Sequence, residues 1–307
     1  MPGENNDLAG ERTSNEERLQ KDLRATVLES YELLSGGYDE AYLDGLARDR
    51  RLLIIDTMPE DLVVGFSSAA CDVWRRLSGE RREIVSKALT INLSADRTMA
   101  WTYDELSYRV VRQGRRLFIP LRATAVYEHR SGRWLLVQQH ISYGMPIDWI
   151  VSAAAAGTLP NPARLRSRIS TGSAAAEIKD VLLAVLSDTN HEWSRYQSTE
   201  DDAWFIGVDP EQEYRGSSLA GRHPVDTMFG EKMAVQVDGI RIQLNRSGSV
   251  AWAAANLFAI GDASGWPLRI PLRATWVLER RSGGWQIVQT HFSVAMSRKE
   301  LETQVLR

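Results

Sequence analysis

Two short runs carry the side chains best suited to chemistry. Val137-Gln-Gln-His-Ile-Ser142 and Val288-Gln-Thr-His-Phe-Ser293 each set a histidine two residues before a serine, and His291 follows His140 by 151 positions. An imidazole titrates near neutrality and can serve as a general base. Upstream, Arg122 and Thr124 are matched by Arg273 and Thr275, and an arginine fork can hold a carboxylate through two parallel hydrogen bonds. With the glutamines these make ten candidate ligand-binding residues: Arg122, Thr124, Gln138, His140, Ser142, Arg273, Thr275, Gln289, His291 and Ser293. Each also has a structural role open to it. The histidines can bond a neighbouring strand or reach across an interface, because buried polar groups are normally satisfied that way. The arginines can pair with a helix acid such as Glu29 or Asp180. Ser142 and Ser293 follow no nucleophile-elbow pattern. None of the five histidines stands at ligand spacing with another, so neither a metal nor a cofactor is expected.

Both runs belong to a longer internal repeat. Ile119–Met145 aligns with Ile270–Met296 without a gap, and 17 of the 27 positions are identical. The same offset pairs Trp101 with Trp252, Gly65 with Gly216, and Pro59 with Pro210. A unit of about 130 residues is therefore used twice, a period too long for a solenoid. The expected boundaries are a disordered stretch over 1–15, a first domain over 16–150, a linker over 151–172 and a second domain over 173–300. The linker reads as a short helix running into an extended connector.

Helices precede strands in each copy. Leu19, Leu23, Val27, Tyr31 and Leu34 recur at helical spacing, and Ile178, Val181, Leu182 and Val185 repeat the stripe. Short helices are expected near Asp39–Ala47 and His191–Tyr196, and a further one over Ser67–Leu77. Strands follow at Ala88–Leu93, Met99–Arg112, Leu117–His129 and Trp134–Ser142. Their counterparts are Gly239–Leu244, Val250–Ile260, Leu268–Arg280 and Trp285–Val294. Ser131-Gly132 and Ser282-Gly283 supply hairpin turns. Helices followed by an antiparallel meander make an α+β class.

Along the last strand, a period of two puts Trp134, Leu136, Gln138, His140 and Ser142 on one face. A three-residue turn with a bulge would align Arg122 with His140 and Thr124 with Gln138, gathering the polar residues. A two-residue turn would separate them.

Composition narrows the function classes. The 307 residues carry 37 basic and 40 acidic side chains, a net charge of −3, which gives no electrostatic footprint for nucleic acid or an anionic membrane. Only five of the basic residues are lysine, an arginine bias that fits a GC-rich bacterial genome. The single cysteine, Cys71, excludes an internal disulfide and fits a reducing, cytoplasmic setting. No run approaches the ~20 apolar residues of a membrane span, and the polar start is unlike a signal peptide.

Arg-x-Thr-x-Val, then Ser-Gly-x-Trp, then Val-Gln-x-His-x-Ser resembles the SnoaL-like branch of the nuclear transport factor 2-like superfamily, over nearly the whole chain. The resemblance implies two tandem cone-shaped α+β barrel domains, with helices packed on a curved antiparallel sheet. It also implies a helix-covered pocket and frequent dimerisation through the outer sheet face. The superfamily includes ketosteroid isomerases, scytalone dehydratase, epoxide hydrolases, polyketide cyclases and non-enzymes, so its fold does not name an activity. An isomerase-like trio can be drawn from Tyr31, Tyr103 and Asp56, and an Asp-Arg-Asp relay from Arg122, Asp56 and Asp104. The second copy has Leu182, Ala254, Gly207 and Ala255 at the matching positions.

Two readings follow. One is a non-catalytic small-molecule-binding or protein-interaction module, built as an intramolecular pseudo-dimer. The other is an isomerase, dehydratase or cyclase for a small hydrophobic substrate, with one active copy. The expected partners are a small hydrophobic or carboxylate ligand, domain 1 for domain 2, and a further copy in a homo-oligomer.

Overall fold

The computed structural model describes residues 4–36, 40–67, 82–112, 115–187, 192–219, 228, 233–263 and 266–305. Copy one runs α1 (Glu4–Ser35), α2 (Glu40–Asp44), β1 (Leu53–Ile55), β2 (Leu62–Val64), β3 (Arg82–Ser86), β4 (Thr90–Leu93), β5 (Met99–Arg112), β6 (Arg115–Arg130), β7 (Arg133–Ser142) and α3 (Ile147–Ala155). Copy two follows with β8 (Arg168–Ile169), α4 (Ser173–Ser187), β9 (Trp204–Ile206), β10 (Glu213–Arg215), β11 (Ala234–Leu244), β12 (Val250–Ala263), β13 (Trp266–Arg281), β14 (Gly284–Ser293) and α5 (Arg298–Val305). The helix expected near His191 is a 3-10 turn over Glu192–Arg195. The one expected over Ser67–Leu77 lies, from residue 68 onward, outside the described residues.

Leu19, Leu23, Val27 and Tyr31 are all buried, so one stripe of α1 faces the sheet. The helix starts at Glu4 rather than after residue 15. Once the buried stripe has nucleated it, each added residue gains a hydrogen bond.

Each unit has a mixed sheet, ordered β2-β1-β7-β6-β5-β3 with β4 also on β5, and β10-β9-β14-β13-β12-β11-β8. β1 runs parallel to β7 and β9 parallel to β14, which corrects the expectation of an all-antiparallel sheet. The two strands are three-residue runs buried throughout, so they show no alternation by which a sequence would reveal them. The end strands of each sheet do not pair with each other. The units are therefore open cones rather than closed barrels.

The β6–β7 hairpin corrects the expected register. Its turn has two residues, Ser131 at φ 50° and Gly132 at φ 78°, with Arg130 opposite Arg133. The bulge lies further along, between Val126 and Tyr127 on one strand, where Val137 is passed over on the other. Beyond it Arg122 faces Ser142, Thr124 faces His140 and Val126 faces Gln138. The bulge also breaks the period of two: Trp134 and Leu136 enter copy one's core, while Val137 belongs to a different cluster. Copy two repeats this, with Arg273 opposite Ser293 and Thr275 opposite His291.

The two sheets meet face to face. Met99, Trp101, Val126 and Val137 pack with their counterparts Val250, Trp252, Val277 and Val288 in one buried cluster. The terminal helices cross over, α3 onto β13 and α5 onto β6. The amide of Met145 donates to the Val208 carbonyl at 2.8 Å, and that of Met296 to the Thr57 carbonyl at 3.1 Å.

Candidate functional site

Beyond the apolar cluster the seam turns polar, and the ten repeated residues lie there, every one buried. His140 and His291 stack with ring centroids 3.9 Å apart and planes 22° from parallel. His140 places Nδ1 3.0 Å from Thr275 Oγ1 and Nε2 2.8 Å from Ser293 Oγ. His291 reciprocates, with Nδ1 2.9 Å from Thr124 Oγ1 and Nε2 2.7 Å from Ser142 Oγ. Gln138 donates to the Ala253 carbonyl at 2.9 Å and Gln289 to the Thr102 carbonyl at 3.0 Å. Each copy thus bonds the other through equivalent atoms.

The arginines close the network. Arg122 donates to the carbonyls of Asp209 at 2.8 Å and Val208 at 3.4 Å. Arg273 donates to the carbonyls of Asp56, Met58 at 3.1 Å and Thr57 at 3.4 Å. The acids expected for them, Glu29 and Asp180, are replaced by loop carbonyls of the opposite copy. Burial pushes the Arg273 guanidinium down to about 10, with Asp56 and Asp61 opposing the shift. Burial also holds both imidazoles well below their usual range, helped by the neighbouring arginines. These are neutral rings at pH 7, with both nitrogens engaged by hydroxyls.

A second polar group sits inside copy one, on the other face of its sheet. The Tyr31 hydroxyl bonds the Asp104 carboxyl, whose Oδ1 also accepts the Ala88 amide at 3.1 Å where β3 gives way to β4. Asp104 is wholly buried, and burial raises its carboxyl above the ordinary range. Tyr127 bonds Ser30, and burial raises the phenols of Tyr31, Tyr42 and Tyr127, so all three are protonated at neutral pH. Tyr42, Tyr127, Ser30 and Trp134 line a cleft of about 390 Å³ between α1, α2 and the β6–β7 hairpin. Three of the carboxylates on the cleft wall are Asp22, Glu29 and Asp44.

The trio of Tyr31, Tyr103 and Asp56 does not assemble. Tyr103 alternates to the seam side of β5, where its hydroxyl bonds Glu213 and its ring stacks on Trp204 at 4.7 Å. Asp56 lies in the loop after β1, accepting the Thr57 amide at 2.6 Å. Asp104 lies on the cone side of β5, away from Arg122, so the Asp-Arg-Asp relay does not form either.

The SnoaL-like domain model matches residues 25–148 and again 180–297. The chain belongs to the SnoaL-like family. Solved structures similar to it include a candidate scytalone dehydratase from Novosphingobium aromaticivorans, 9% identical over 43% of this chain and 89% of that one, with a TM-score of 0.39. A candidate ketosteroid isomerase from Shewanella frigidimarina is 20% identical over 39% of this chain and 95% of that one, at a TM-score of 0.33. A nuclear transport factor 2-like protein with a cystatin-like fold, also from Novosphingobium aromaticivorans, is 14% identical over 45% and 88%, at 0.37. No curated protein matches the chain.

The second SnoaL-like copy lacks the inner polar group. Leu182, Trp193, Leu278 and Ala255 stand in place of Tyr31, Tyr42, Tyr127 and Asp104. Ile54, Ala125 and Ile141 become Phe205, Trp276 and Phe292, whose rings pack at 5.9 Å centroid distances into the copy-two core. Where copy one has Asp56, Gly207 lies under Gln212, whose Cβ would come within 2.6 Å of any added side chain. The differences between the SnoaL-like copies, rather than their identities, mark Tyr42, Tyr127 and Ser30, which the repeat alone did not single out. Among the described residues no three His, Cys, Asp or Glu side chains gather as metal ligands, and no helix is long and apolar enough to cross a membrane.

Proposed function

We propose that this chain is a small-molecule-binding module built as an intramolecular pseudo-dimer of SnoaL-like domains, with copy one holding the ligand and copy two serving as its permanent partner. One observation carries this reading: the repeated polar residues bond one another across the seam, while the unrepeated Ser30, Tyr42 and Tyr127 line the cleft of copy one. The ligand is small and largely hydrophobic, with a group that can exchange hydrogen bonds with the neutral Tyr42 and Tyr127 phenols. A carboxylate ligand has no support at Arg122 and Arg273, whose donors reach backbone carbonyls.

A second reading places proton transfer in the same cone, as in an isomerase, dehydratase or cyclase with one active copy. It is favoured by the raised Asp104 carboxyl beside Tyr31, since catalytic acids and bases are commonly tuned by burial. Native mass spectrometry of the purified full chain tests the binding reading. A retained small molecule, lost in Tyr127→Leu, is the expected result; equal retention by that variant would remove copy one's cleft as the site.

A further inference from the structure

The stacked imidazoles at the centre of the seam are more than the binding reading requires. Their proton arrangement follows from the atoms around them. Ser293 Oγ accepts Arg273 Nε at 3.2 Å and lies 2.8 Å from His140 Nε2. Ser142 Oγ accepts Arg122 Nη2 at 3.4 Å and lies 2.7 Å from His291 Nε2. A hydroxyl already receiving a guanidinium proton is placed to give its own proton to the bare ring nitrogen beside it. Nδ1 then carries the ring proton and donates it to Thr275 Oγ1 or Thr124 Oγ1.

We infer that the seam is an acid-opened latch, closed while both imidazoles are neutral Nδ1–H tautomers and released when protons are added at Nε2. A proton at Nε2 meets a serine O–H already aimed at it, so one hydrogen bond turns into a clash of donors. It also creates a cation 3.9 Å from the other ring. The charged groups facing the pair are Arg122 from β6 and Arg273 from β13, both positive. Glu213 and Asp209 face Arg122, and Asp56 and Asp61 face Arg273, one shell away from the ring nitrogens. Asp61 is itself pushed up to about 6 by burial and by Asp56, so acid also weakens the negative charge beside Arg273.

The sign is fixed by linkage. A histidine whose folded value lies below its unfolded value of about 6.5 leaves the closed seam fully stable above that pH, and stability is lost as pH falls through it. Opening at the polar end separates the sheets while 151–172 still joins the copies.

The test uses the full chain. Small-angle scattering and far-ultraviolet circular dichroism are followed together from pH 7.5 to pH 4.5. The expected result is a rise in radius of gyration with strand signal retained, moved at least one pH unit lower in His140→Gln/His291→Gln. No expansion, expansion only in step with loss of strand signal, or an unmoved midpoint in the double variant would each overturn the latch. Should the double variant not fold, ring ¹⁵N shifts of the wild-type chain at pH 7 decide: two Nδ1–H tautomers support it, and an Nε2–H or cationic ring overturns it.

Discussion

Arg122 and Asp209 stand 87 residues apart in the chain, yet the guanidinium Nη1 of the first donates to the backbone carbonyl of the second at 2.8 Å. That single bond ties the middle strand of one copy to a loop of the other, and Arg273 returns it to the Met58 carbonyl at 3.1 Å. These two arginines of the repeat therefore hold the two copies together along the seam.

Removing the guanidinium should be costly. Arg122→Leu removes the guanidinium's hydrogen bonds to the carbonyls of Asp209 and Val208, about 0.5–1.5 kcal/mol apiece, while those carbonyls keep the amides of Gln212 and Met145. Arg122→Lys should recover only part of this, since one ammonium cannot reproduce a planar fork. Denaturant midpoints for the two variants measure both effects.

Severing the copies should expose the apolar seam. Residues 1–160 alone would present Met99, Trp101, Val126 and Val137, which copy two covers in the full chain. That fragment should dimerise or aggregate, as size-exclusion chromatography with light scattering will show. A well-behaved monomer would contradict the pseudo-dimer.

Filling copy one's cleft with the residue copy two carries should abolish ligand retention. Tyr42→Trp introduces the residue found at the equivalent position, Trp193, in the cleft wall. Overpacking of a core typically costs about 1–3 kcal/mol, so the fold should survive in a moderately weakened form. Native mass spectra with and without the substitution, checked by circular dichroism, separate loss of site from loss of fold.

Asp104 should make stability depend on pH in the opposite sense from the histidines. Its folded value is raised by burial, so its neutral form favours the fold. That contribution is complete below the unfolded value near 3.9 and is lost as pH rises through the folded value. Asp104→Asn should therefore flatten the decline above pH 4 while keeping an oxygen for the Ala88 amide. Thermal melts of both proteins from pH 4 to pH 8 provide the comparison; parallel curves would assign the decline elsewhere.

The hairpin turn offers a purely backbone test. Gly132 has φ 78° and nothing within 4 Å of an added Cβ. Gly132→Ala should cost about 1 kcal/mol from conformation alone, read from the unfolding midpoint.

By itself the sequence determined the duplication, the α+β class, the long strands and the hairpin positions. These rest on local patterns: the 151-residue offset, the apolar stripe from Leu19 to Tyr31, and Ser-Gly pairs where the backbone needs positive φ. It also put Arg122, Thr124, Gln138, His140 and Ser142 together on one strand pair. What that polar group meets was decided only in three dimensions. The bulge at Val137 shifts the pairing by one residue and parts Trp134 from His140, and no residue type announces it, because a bulge answers to the twist of the whole sheet. The parallel strands β1 and β9 are too short and too uniformly buried to be read from periodicity. Above all, whether His140 faces a cavity or its own copy, His291, depends on how two sheets pack, a contact between residues 151 apart that no local pattern encodes.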